Sequence, residues 1–403
     1  MIDVGVGVSQ EKNAVLAAEE ALRLAKRGKK SGKTDLAILF CSADLYPAPL
    51  LKLLNNALEG CPIIGSSGPA IFTGEGVFHH GVALMLLGFP EGMYCTTSYI
   101  KDIRNDRILE AGQDIGEKLL YGFKNIPRSL GLLLFDRLIE NGQNFITGVQ
   151  SHLGKSFPCV GSSASDATAS PKSSLFFNQS VLENACCGML LGGKLNFGLG
   201  MAHGWKPLGK PHTATAVSGN VITSIDGQPA AKLYEEYLAC PLSQLKTEIK
   251  RLSVFYPIGV NIPGEEEYLL RNVILADDHG ALHCQGNVPA GSTIRVMIST
   301  TETCLEATEN AVEAARRQIS SPVLKFHKEK ASQFAVAFSS FSRYTLLRRN
   351  AVRETEMVKK HLGANIPLIG LYTASELAPL HAQTYHGQLY FHNQAFSILL
   401  IEG

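Results

Sequence analysis

A short apolar phrase with a proline three residues before a glycine occurs three times in the chain, and this repetition constrains the fold more than any other feature. The copies read Pro62-Ile63-Ile64-Gly65, Pro158-Cys159-Val160-Gly161 and Pro367-Leu368-Ile369-Gly370. Each lies in an apolar run that is too short for a helix and has the length of a buried strand. The sequence therefore predicts three related units.

The surroundings of each copy repeat as well. An apolar strand candidate and a helix-like segment come before each copy, and a loop with another apolar run comes after it. These flanking apolar runs are Leu36 to Cys41, Leu130 to Phe135 and Phe334 to Phe338 before the copies, and Val82 to Leu87, Cys187 to Leu191 and Phe396 to Ile401 after them. Short apolar strands joined through helices are typical of α/β proteins. We predict an α/β fold of repeated strand-helix units, with largely parallel or mixed sheets covered by helices.

A further strand and helix precede two of the units in closely similar form. Val4 to Ser9 leads into a predicted helix over about residues 10–27, and Ile294 to Ser299 leads into one over about 301–318. Each strand ends in a serine, which can cap the helix that follows. We therefore expect Ile294 to Ser299 to open the third unit. A looser copy, Met93 to Ile103, precedes the second unit.

The spacing of the copies predicts a second domain. The third copy lies about twice as far from the second as the second lies from the first, so a block without the phrase is inserted between them. We predict an amino-terminal domain over residues 1–203 that contains two related α/β units. The carboxyl-terminal domain, 204–403, would hold a smaller α+β block over about 204–291 and the third unit over about 292–403.

The overall composition excludes several classes of protein. The 37 basic and 36 acidic side chains leave a net charge of +1, without the basic surface that a nucleic-acid partner requires. The 9 cysteines are scattered and form no Cys-x-x-Cys pair, which favours reduced thiols in the core. The sequence shows neither a signal-peptide pattern nor an apolar run that could span a membrane. We expect a cytoplasmic protein without a nucleic-acid or membrane partner.

Several motifs resemble those of a known family. Gly204-x-x-Pro207-x-Gly209, Asn220 and Asp226-Gly227-x-Pro229-Ala230 are similar to the start of the FIST C domain. Ile366-Pro367-x-x-Gly370-x-Tyr372-x-x-x-Glu376 and Phe391-His392-Asn393 resemble its end. About the first 200 residues, with their Pro-x-x-Gly-Ser-Ser segments, resemble FIST N. The resemblance spans nearly the whole chain.

The resemblance implies a sensory module that binds a small-molecule ligand. Members of the family occur alone or attached to signalling outputs, and we expect no output domain in this chain. It would then report to a separate signalling enzyme, such as a histidine kinase or a cyclic-di-nucleotide enzyme, and a homodimer is compatible with this role. The sequence contains no nucleophile elbow, P-loop or His-Glu-x-x-His motif, so we expect no catalytic activity.

The sharpest version of this function is a haem-based nitric oxide sensor. His203, directly before the Gly-x-x-Pro-x-Gly segment, points to the FIST subgroup that binds haem and senses nitric oxide. A haem iron needs a neutral imidazole and an apolar slot for the porphyrin. Met201 and Trp205 could supply the slot, and His212 is a second histidine nearby. We predict haem b at this place, with His203 as the iron ligand.

The Gly-Ser-Ser segments predict an alternative site, for an amino acid or another small carboxylate. Gly65-Ser66-Ser67 and Gly161-Ser162-Ser163 lie at the carboxyl ends of predicted parallel strands, where ligands bind in open α/β sheets. Their N–H groups and hydroxyls could hold an anion. Tyr372, Glu376 and Asn393 near other strand ends could orient the same ligand. The segments could equally be plain turns.

A hydrolase-like enzyme is the third alternative. Ser66 or Ser162 would be its nucleophile. A serine needs a base close by in space to become nucleophilic, and the sequence names none.

Overall fold

The computed structural model describes residues 1–123, 126–136, 142–164, 174–320, 332–380 and 388–403. Two α/β units come first along the chain. The first consists of β1 (Asp3–Ser9), α1 (Ala14–Gly28), β2 (Leu36–Ser42), α2 (Pro47–Ala57), β3 (Ile63–Gly68), β4 (Ile71–Thr73), β5 (Gly76–Phe78) and β6 (Val82–Gly88). The second consists of β7 (Met93–Ile100), α3 (Ile108–Tyr121), β8 (Arg128–Phe135), α4 (Gly142–Leu153), β9 (Cys159–Ser163), β10 (Leu175–Phe177), β11 (Ser180–Leu182) and β12 (Cys186–Gly193).

The remaining elements form an inserted block and a third unit. After β13 (Asn196–Ala202), the block consists of β14 (Lys206–Ser218), β15 (Val221–Ile225), β16 (Gln228–Pro229), α5 (Lys232–Leu238), α6 (Leu242–Phe255), β17 (Ile258–Val260), β18 (Leu269–Arg271), β19 (Val273–Ala276), β20 (Leu282–Cys284) and β21 (Thr293–Ile298). The third unit continues with α7 (Thr301–Ser320), β22 (Gln333–Ser340), α8 (Phe341–Leu347), α9 (Val352–Leu362), β23 (Leu368–Thr373), β24 (Glu376–Pro379), β25 (Leu389–His392) and β26 (Phe396–Glu402).

Three six-stranded sheets of the same design form the body of the molecule. Their strand orders are β1-β6-β2-β3-β10-β11, β7-β12-β8-β9-β24-β25 and β13-β26-β22-β23-β4-β5. In each sheet one central pair is parallel, namely β2 with β3, β8 with β9, and β22 with β23. The other described pairs are antiparallel. The predicted α/β class with mixed sheets is therefore confirmed.

Each sheet is completed by a hairpin from another unit. The β4–β5 hairpin joins the third sheet, where Ile369 lies opposite Thr73. The β10–β11 hairpin joins the first sheet through β3. The β24–β25 hairpin joins the second sheet, where Glu376 lies opposite Ser162. The first unit thus gives its hairpin to the third sheet, the second unit to the first sheet, and the third unit to the second sheet.

The three sheets share one central core, so helices cover only their outer faces. In β2, Ile38 and Phe40 face the centre, whereas Leu39 and Cys41 face α1 and α2. β8 and β22 alternate in the same way, with α3 and α4 outside the second sheet and α7 and α9 outside the third. Successive side chains along a strand point to opposite faces of the sheet, which explains the alternation.

The strand expected to open the third unit belongs elsewhere. β21, which contains most of Ile294 to Ser299, pairs with β14 and β17 in the inserted block. β13 takes the expected place instead, with Leu199 opposite Leu399 of β26 and α7 packed against it. A strand that leads into a helix has the same local pattern whichever sheet it joins, so the sequence could not distinguish these two.

The inserted block has its own eight-stranded sheet and core. Its strand order is β18-β17-β21-β14-β15-β20-β19, with β16 paired to β15. Its core also includes Ala378 and Tyr390 of the β24–β25 hairpin, so the block packs on that hairpin. Among the described residues, no helix combines the length and the apolar character needed to cross a bilayer.

The two helices outside the second sheet approach each other through glycine. A Cβ atom at Gly148 would overlap the carbonyl oxygen of Leu109, and one at Gly112 would overlap that of Phe145. Even a single methyl group at these positions must therefore push α3 and α4 apart.

We predict that Gly148→Ala lowers the free energy of unfolding by about 1–3 kcal/mol, because it overpacks this contact. Urea denaturation of the wild type and the variant measures the difference. Gly32→Ala is the matched control, since nothing lies within 4 Å of its added methyl group. Equal losses in the two variants would contradict the close helix contact.

Candidate ligand-binding site

A cavity of about 150 Å³ lies where the carboxyl ends of β8 and β9, the β24–β25 hairpin and the inserted block meet. Its apolar lining comes from Phe135, Ile274 and Phe391, and its polar lining includes Asp136, Gln143, Ser163, Asn220, Arg271, Gln285, Asn287 and Ser375. β8 and β9 are the parallel pair of the second sheet. The cavity therefore occupies the kind of place where open α/β sheets bind ligands.

The strongest charge in this cavity is the guanidinium of Arg271, which ends β18 and is 3% exposed. Its Nε donates a hydrogen bond to the carbonyl of Asn287 (2.9 Å), and its Nη1 donates to those of Leu270 (2.9 Å) and Phe391 (3.0 Å). Burial lowers the pKa of Arg271 to about 10, so the side chain still carries its charge at neutral pH.

No carboxylate pairs with Arg271 within the described ranges, and its Nη2 has no hydrogen-bond partner there. Carbonyl dipoles stabilise a buried cation less than a counter-charge does, and an unpaired buried ion costs several kcal/mol. The planar guanidinium matches a carboxylate in shape and charge. This arrangement fits a ligand that brings its own carboxylate.

Ser163, the last residue of β9, offers a second polar group to the same cavity. Its Oγ is buried and has no hydrogen-bond partner in the described part of the chain. Its backbone N–H donates to the carbonyl of Ser375 (2.9 Å), which fixes the position of the residue. Buried hydroxyls are rarely left unpaired, so this one is available to a ligand.

The wall between the inserted block and the hairpin is held by side-chain amides. Gln285 donates to Ser375 Oγ (2.9 Å), and Asn393 donates to the same oxygen (3.3 Å). Asn393 Oδ1 also accepts the N–H of Asn272 (3.2 Å). Asn393, a predicted ligand contact, thus lies behind the wall, where it positions Ser375.

Asp136 and two aromatic rings complete the cavity. Asp136 follows β8, is 2% exposed, and accepts the N–H of Asn184 at Oδ2 (2.9 Å). The rings of Phe135 and Phe391 pack at a centroid distance of 4.6 Å. Among the described residues, the cavity therefore combines one positive charge, one negative charge and an apolar wall, which suits a small zwitterion or carboxylate.

The other Gly-Ser-Ser residues do not reach this cavity. Gly65 and Gly161 lie inside β3 and β9, where a Cβ atom would overlap a carbonyl oxygen of the neighbouring strand, so close strand packing explains these glycines. Ser66 Oγ donates to the carbonyl of Ser67 (3.2 Å), whose own Oγ accepts the N–H of Ser174 (2.9 Å). The expected loops are therefore strand ends.

The two serines considered as nucleophiles have no base beside them in the part of the chain that the structure describes. Among the described residues, neither Ser66 nor Ser162 has a histidine or carboxylate as a hydrogen-bond partner. The hydroxyl of Ser162 is buried without a partner, but Ser162 does not line the cavity. The described geometry gives no support to hydrolysis at either serine.

Tyr372 belongs to a buried network on the outer face of the third sheet. Its hydroxyl donates to Glu354 Oε2 (2.7 Å), and burial, followed by the nearby Glu354 carboxylate, raises its pKa well above the usual value. Glu354 also pairs with Arg343 (2.8 Å) and accepts from Ser339 (3.1 Å). Arg343 donates in turn to the carbonyl of His203 (2.7 Å). These groups satisfy one another away from the cavity.

Glu376 is likewise enclosed. Its Oε2 accepts the N–H of Ala395 (3.1 Å), and a 2.7 Å hydrogen bond joins Oε1 to Thr373 Oγ1. Burial raises the pKa of Glu376 to about 8, so the carboxyl is mostly neutral at pH 7. Glu376 does not line the cavity, and its contacts link β24 to the segment before β26.

We predict that Glu376→Gln removes a pH dependence of stability, because the amide can occupy the place of the neutral acid. The folded-state pKa, about 8, exceeds the ordinary value of 4.5, so the folded protein binds the extra proton between these pH values. The wild type should lose stability relative to the variant as pH rises from about 5 to 8, by on the order of a few kcal/mol. Chemical denaturation across this range measures it.

Glu356→Gln, on the exposed surface, is the control and should leave the wild-type pH profile unchanged. A constant stability difference between Glu376→Gln and wild type from acid to alkaline pH would contradict a neutral Glu376.

With this geometry established, the chain can be compared with known proteins. Residues 35–228 match the FIST N domain and residues 230–379 match the FIST C domain. The chain belongs to the FIST family. FIST domains are associated with sensory signalling.

The chain is similar to several other proteins at low sequence identity. An uncharacterised protein of Mycobacterium tuberculosis is 23% identical over 388 residues, which cover 94% of this chain and 95% of the relative. One of Methanocaldococcus jannaschii is 23% identical over 252 residues, covering 57% and 47%. A crystal structure of a cyanuric acid hydrolase from A. caulinodans aligns over 100% of this chain and 99% of its own, with a TM-score of 0.38 and 8% identity. That score is too low to establish a shared fold.

The residues around His203 do not fit the haem iron expected in this FIST chain. His203 Nδ1 accepts the N–H of Trp205 (2.9 Å), and desolvation lowers the pKa of His203 to about 3, so the ring is neutral. The neutral ring then carries its proton on Nε2, which lies 3.4 Å from Glu267 Oε2 and has no lone pair for iron. Met201 and Trp205 belong to different hydrophobic cores, and Met201 does not line the cavity beside His203 and Trp205, whose walls include Glu266, Glu267 and Glu306.

His212 is also engaged. Its Nδ1 lies 2.7 Å from Asp226 Oδ2, and its Nε2 lies 3.0 Å from the Tyr237 hydroxyl. Both nitrogens serve the inserted block, so neither is free for a metal or a haem.

We predict that this FIST protein, purified and supplied with haemin, shows no Soret band that depends on His203. Absorbance spectra of the wild type and His203→Ala test this, with His152→Ala, an exposed histidine, as the control. A Soret band that disappears only in His203→Ala would contradict the geometry described here.

Sequence reasoning missed the charged residues of the cavity. Arg271 ends the short strand Leu269-Leu270-Arg271, and Asp136 directly follows the apolar run of β8. A charged residue is rarely buried unless it is paired or functional. The position of these two residues beside apolar runs was the sequence signal that could have identified them.

Proposed function

We propose that this FIST protein is a sensor for a small ligand that carries a carboxylate, such as an amino acid, and that the ligand binds at Arg271. The observation that carries the proposal is the buried guanidinium of Arg271, which has no counter-charge in the described part of the chain. A ligand carboxylate would supply that charge and a partner for Nη2.

The other cavity residues have separate roles in this proposal. Ser163 donates a hydrogen bond to the carboxylate, and Asp136 attracts an ammonium group of the ligand. Phe135 and Phe391 contact its apolar part. The cavity of about 150 Å³ has room for a small ligand of this kind.

The cavity walls come from two parts of the chain, so a bound ligand contacts both parts. Arg271 and Gln285 belong to the inserted block, whereas Ser163 and Phe135 belong to the second unit. A ligand that contacts both sides favours one relative position of the two parts. A separate signalling enzyme, such as a histidine kinase or a cyclic-di-nucleotide enzyme, would respond to that position.

The proposal places the protein in the cytoplasm. All nine cysteines are free, which suits a reducing compartment. A haem-based nitric oxide sensor is the competing version of the function, and it rests on the resemblance of the His203 segment to the haem-binding FIST subgroup. We favour the carboxylate ligand because Arg271 has no counter-charge among the described residues, whereas His203 Nε2, although it has no hydrogen-bond partner there, lies 3.4 Å from the Glu267 carboxylate.

We predict that Ser163→Ala weakens ligand binding roughly tenfold or more without loss of stability, because its hydroxyl has no other hydrogen-bond partner among the described residues. A panel of amino acids and their deaminated analogues is screened by thermal shift, where a ligand at 100 times its Kd adds about 2.7 kcal/mol. Isothermal titration of the strongest ligand then gives the Kd of each variant.

Ser162→Ala is the matched control, since its buried hydroxyl, unpaired within the described ranges, does not line the cavity and its loss should leave the Kd unchanged. Arg271→Met should abolish binding. A panel without any stabilising member, or a Ser163→Ala variant that binds as tightly as wild type, would contradict the proposal.

A further inference from the structure

We infer that β7 (Met93–Ile100) is the contact through which two copies of the chain pair, edge to edge, into a dimer. β7 ends the second six-stranded sheet, and β12 is its strand partner. In the described part of the chain no other strand pairs with β7. The N–H and C=O groups of its outer edge are therefore open to a further strand.

The other strands that end a described sheet are short or covered. β5, β11 and β18 have three residues each, and β19 and β25 have four. β13 is buried along all of its seven residues. β1 has seven residues, of which four are buried. Proteins commonly protect free edges by such shortness and cover, or by charge and proline.

β7 has none of these protections. It has eight residues, of which the first and last alone are buried, and its sequence Met-Tyr-Cys-Thr-Thr-Ser-Tyr-Ile contains no charge and no proline. Its two tyrosines remain exposed, Tyr94 by 46% and Tyr99 by 37%. Tyrosine is enriched at interfaces because its ring is apolar and its hydroxyl can stay hydrated. The strand has the composition of a pairing surface.

The charges at the two ends of β7 indicate that the partner strand is a second copy. Glu91 lies before the strand, beside Lys194, whose N–H donates to the carbonyl of Gly92 (3.0 Å). Lys101 and Asp102 follow the strand, and all four charged residues are exposed. When two copies run antiparallel, Glu91 comes close to Lys101 of the second copy, and Lys194 to Asp102, at both ends.

Symmetry also fixes the centre of the contact. A two-fold axis perpendicular to the sheet places one residue of the strand opposite the same residue of the second copy. If Glu91 lies opposite Lys101 of the second copy, that central residue is Thr96. Threonine pairs are favourable across antiparallel strands. A parallel arrangement would place like charges side by side. The dimer joins the two second sheets, which also hold the candidate ligand cavities, into one continuous sheet.

The test measures the mass of the native protein by light scattering after size exclusion. The wild type should have twice the 43.5 kDa mass of one chain. Thr97→Lys and Thr97→Glu should each be monomeric, because the two substituted side chains lie diagonally across the axis and repel. An equal mixture of the two variants should recover the dimer mass, which also shows that both are folded.

Thr247→Lys, the same change on the exposed surface of α6, is the control and should stay dimeric. A wild type with the mass of one chain would overturn the inference. So would a Thr97→Lys variant that remains a dimer, or a mixture of the two variants that stays monomeric.

Discussion

The structure depends on the exchange of hairpins among the three sheets. Each sheet takes its last two strands from another unit, so any one sheet requires a second unit to be in place, and the three sheets together require all three. The β24–β25 hairpin has the most direct consequence for function. It carries Ser375 and Phe391 to the ends of β8 and β9, and the carbonyl of Phe391 accepts a hydrogen bond from Arg271.

Two buried arginines in the same chain show why the cavity differs from the rest of the interior. Burial lowers the pKa of Arg343, but the Glu354 carboxylate with which Arg343 is paired contributes to a net rise. Arg271 is also buried, but its hydrogen bonds to described residues all go to carbonyl groups, and burial lowers its pKa. One arginine completes a structural network. The other leaves a positive charge at the wall of a cavity, which is a reason to bind an anion.

The sequence predicted those features of the fold that depend on the pattern of neighbouring residues. Apolar runs such as Leu36 to Cys41 form strands, and the repeated phrase marks three α/β units, because strand length and alternation are written in neighbouring residues. The pairing of β13 with β26 and the hairpin exchange join residues far apart in the chain, so no local pattern could reveal them. The apolar runs predicted sheets covered by helices, and they could not show that the inner faces meet in one core.

The site was predicted in part for the same reason. Ser163 was found from its strand end, and it lines the cavity. Tyr372 and Glu376 were found as polar residues near strand ends, but their side chains are satisfied by neighbours that only the fold brings together. Arg271 went unnoticed because its missing counter-charge is a property of three-dimensional surroundings.

A crystal structure of the protein with the strongest ligand from the panel would test the central claim most directly. The account predicts a ligand carboxylate within hydrogen-bond distance of Arg271 Nη2 and Ser163 Oγ. A carboxylate of the protein itself paired with Arg271, or a ligand bound away from this cavity, would contradict it.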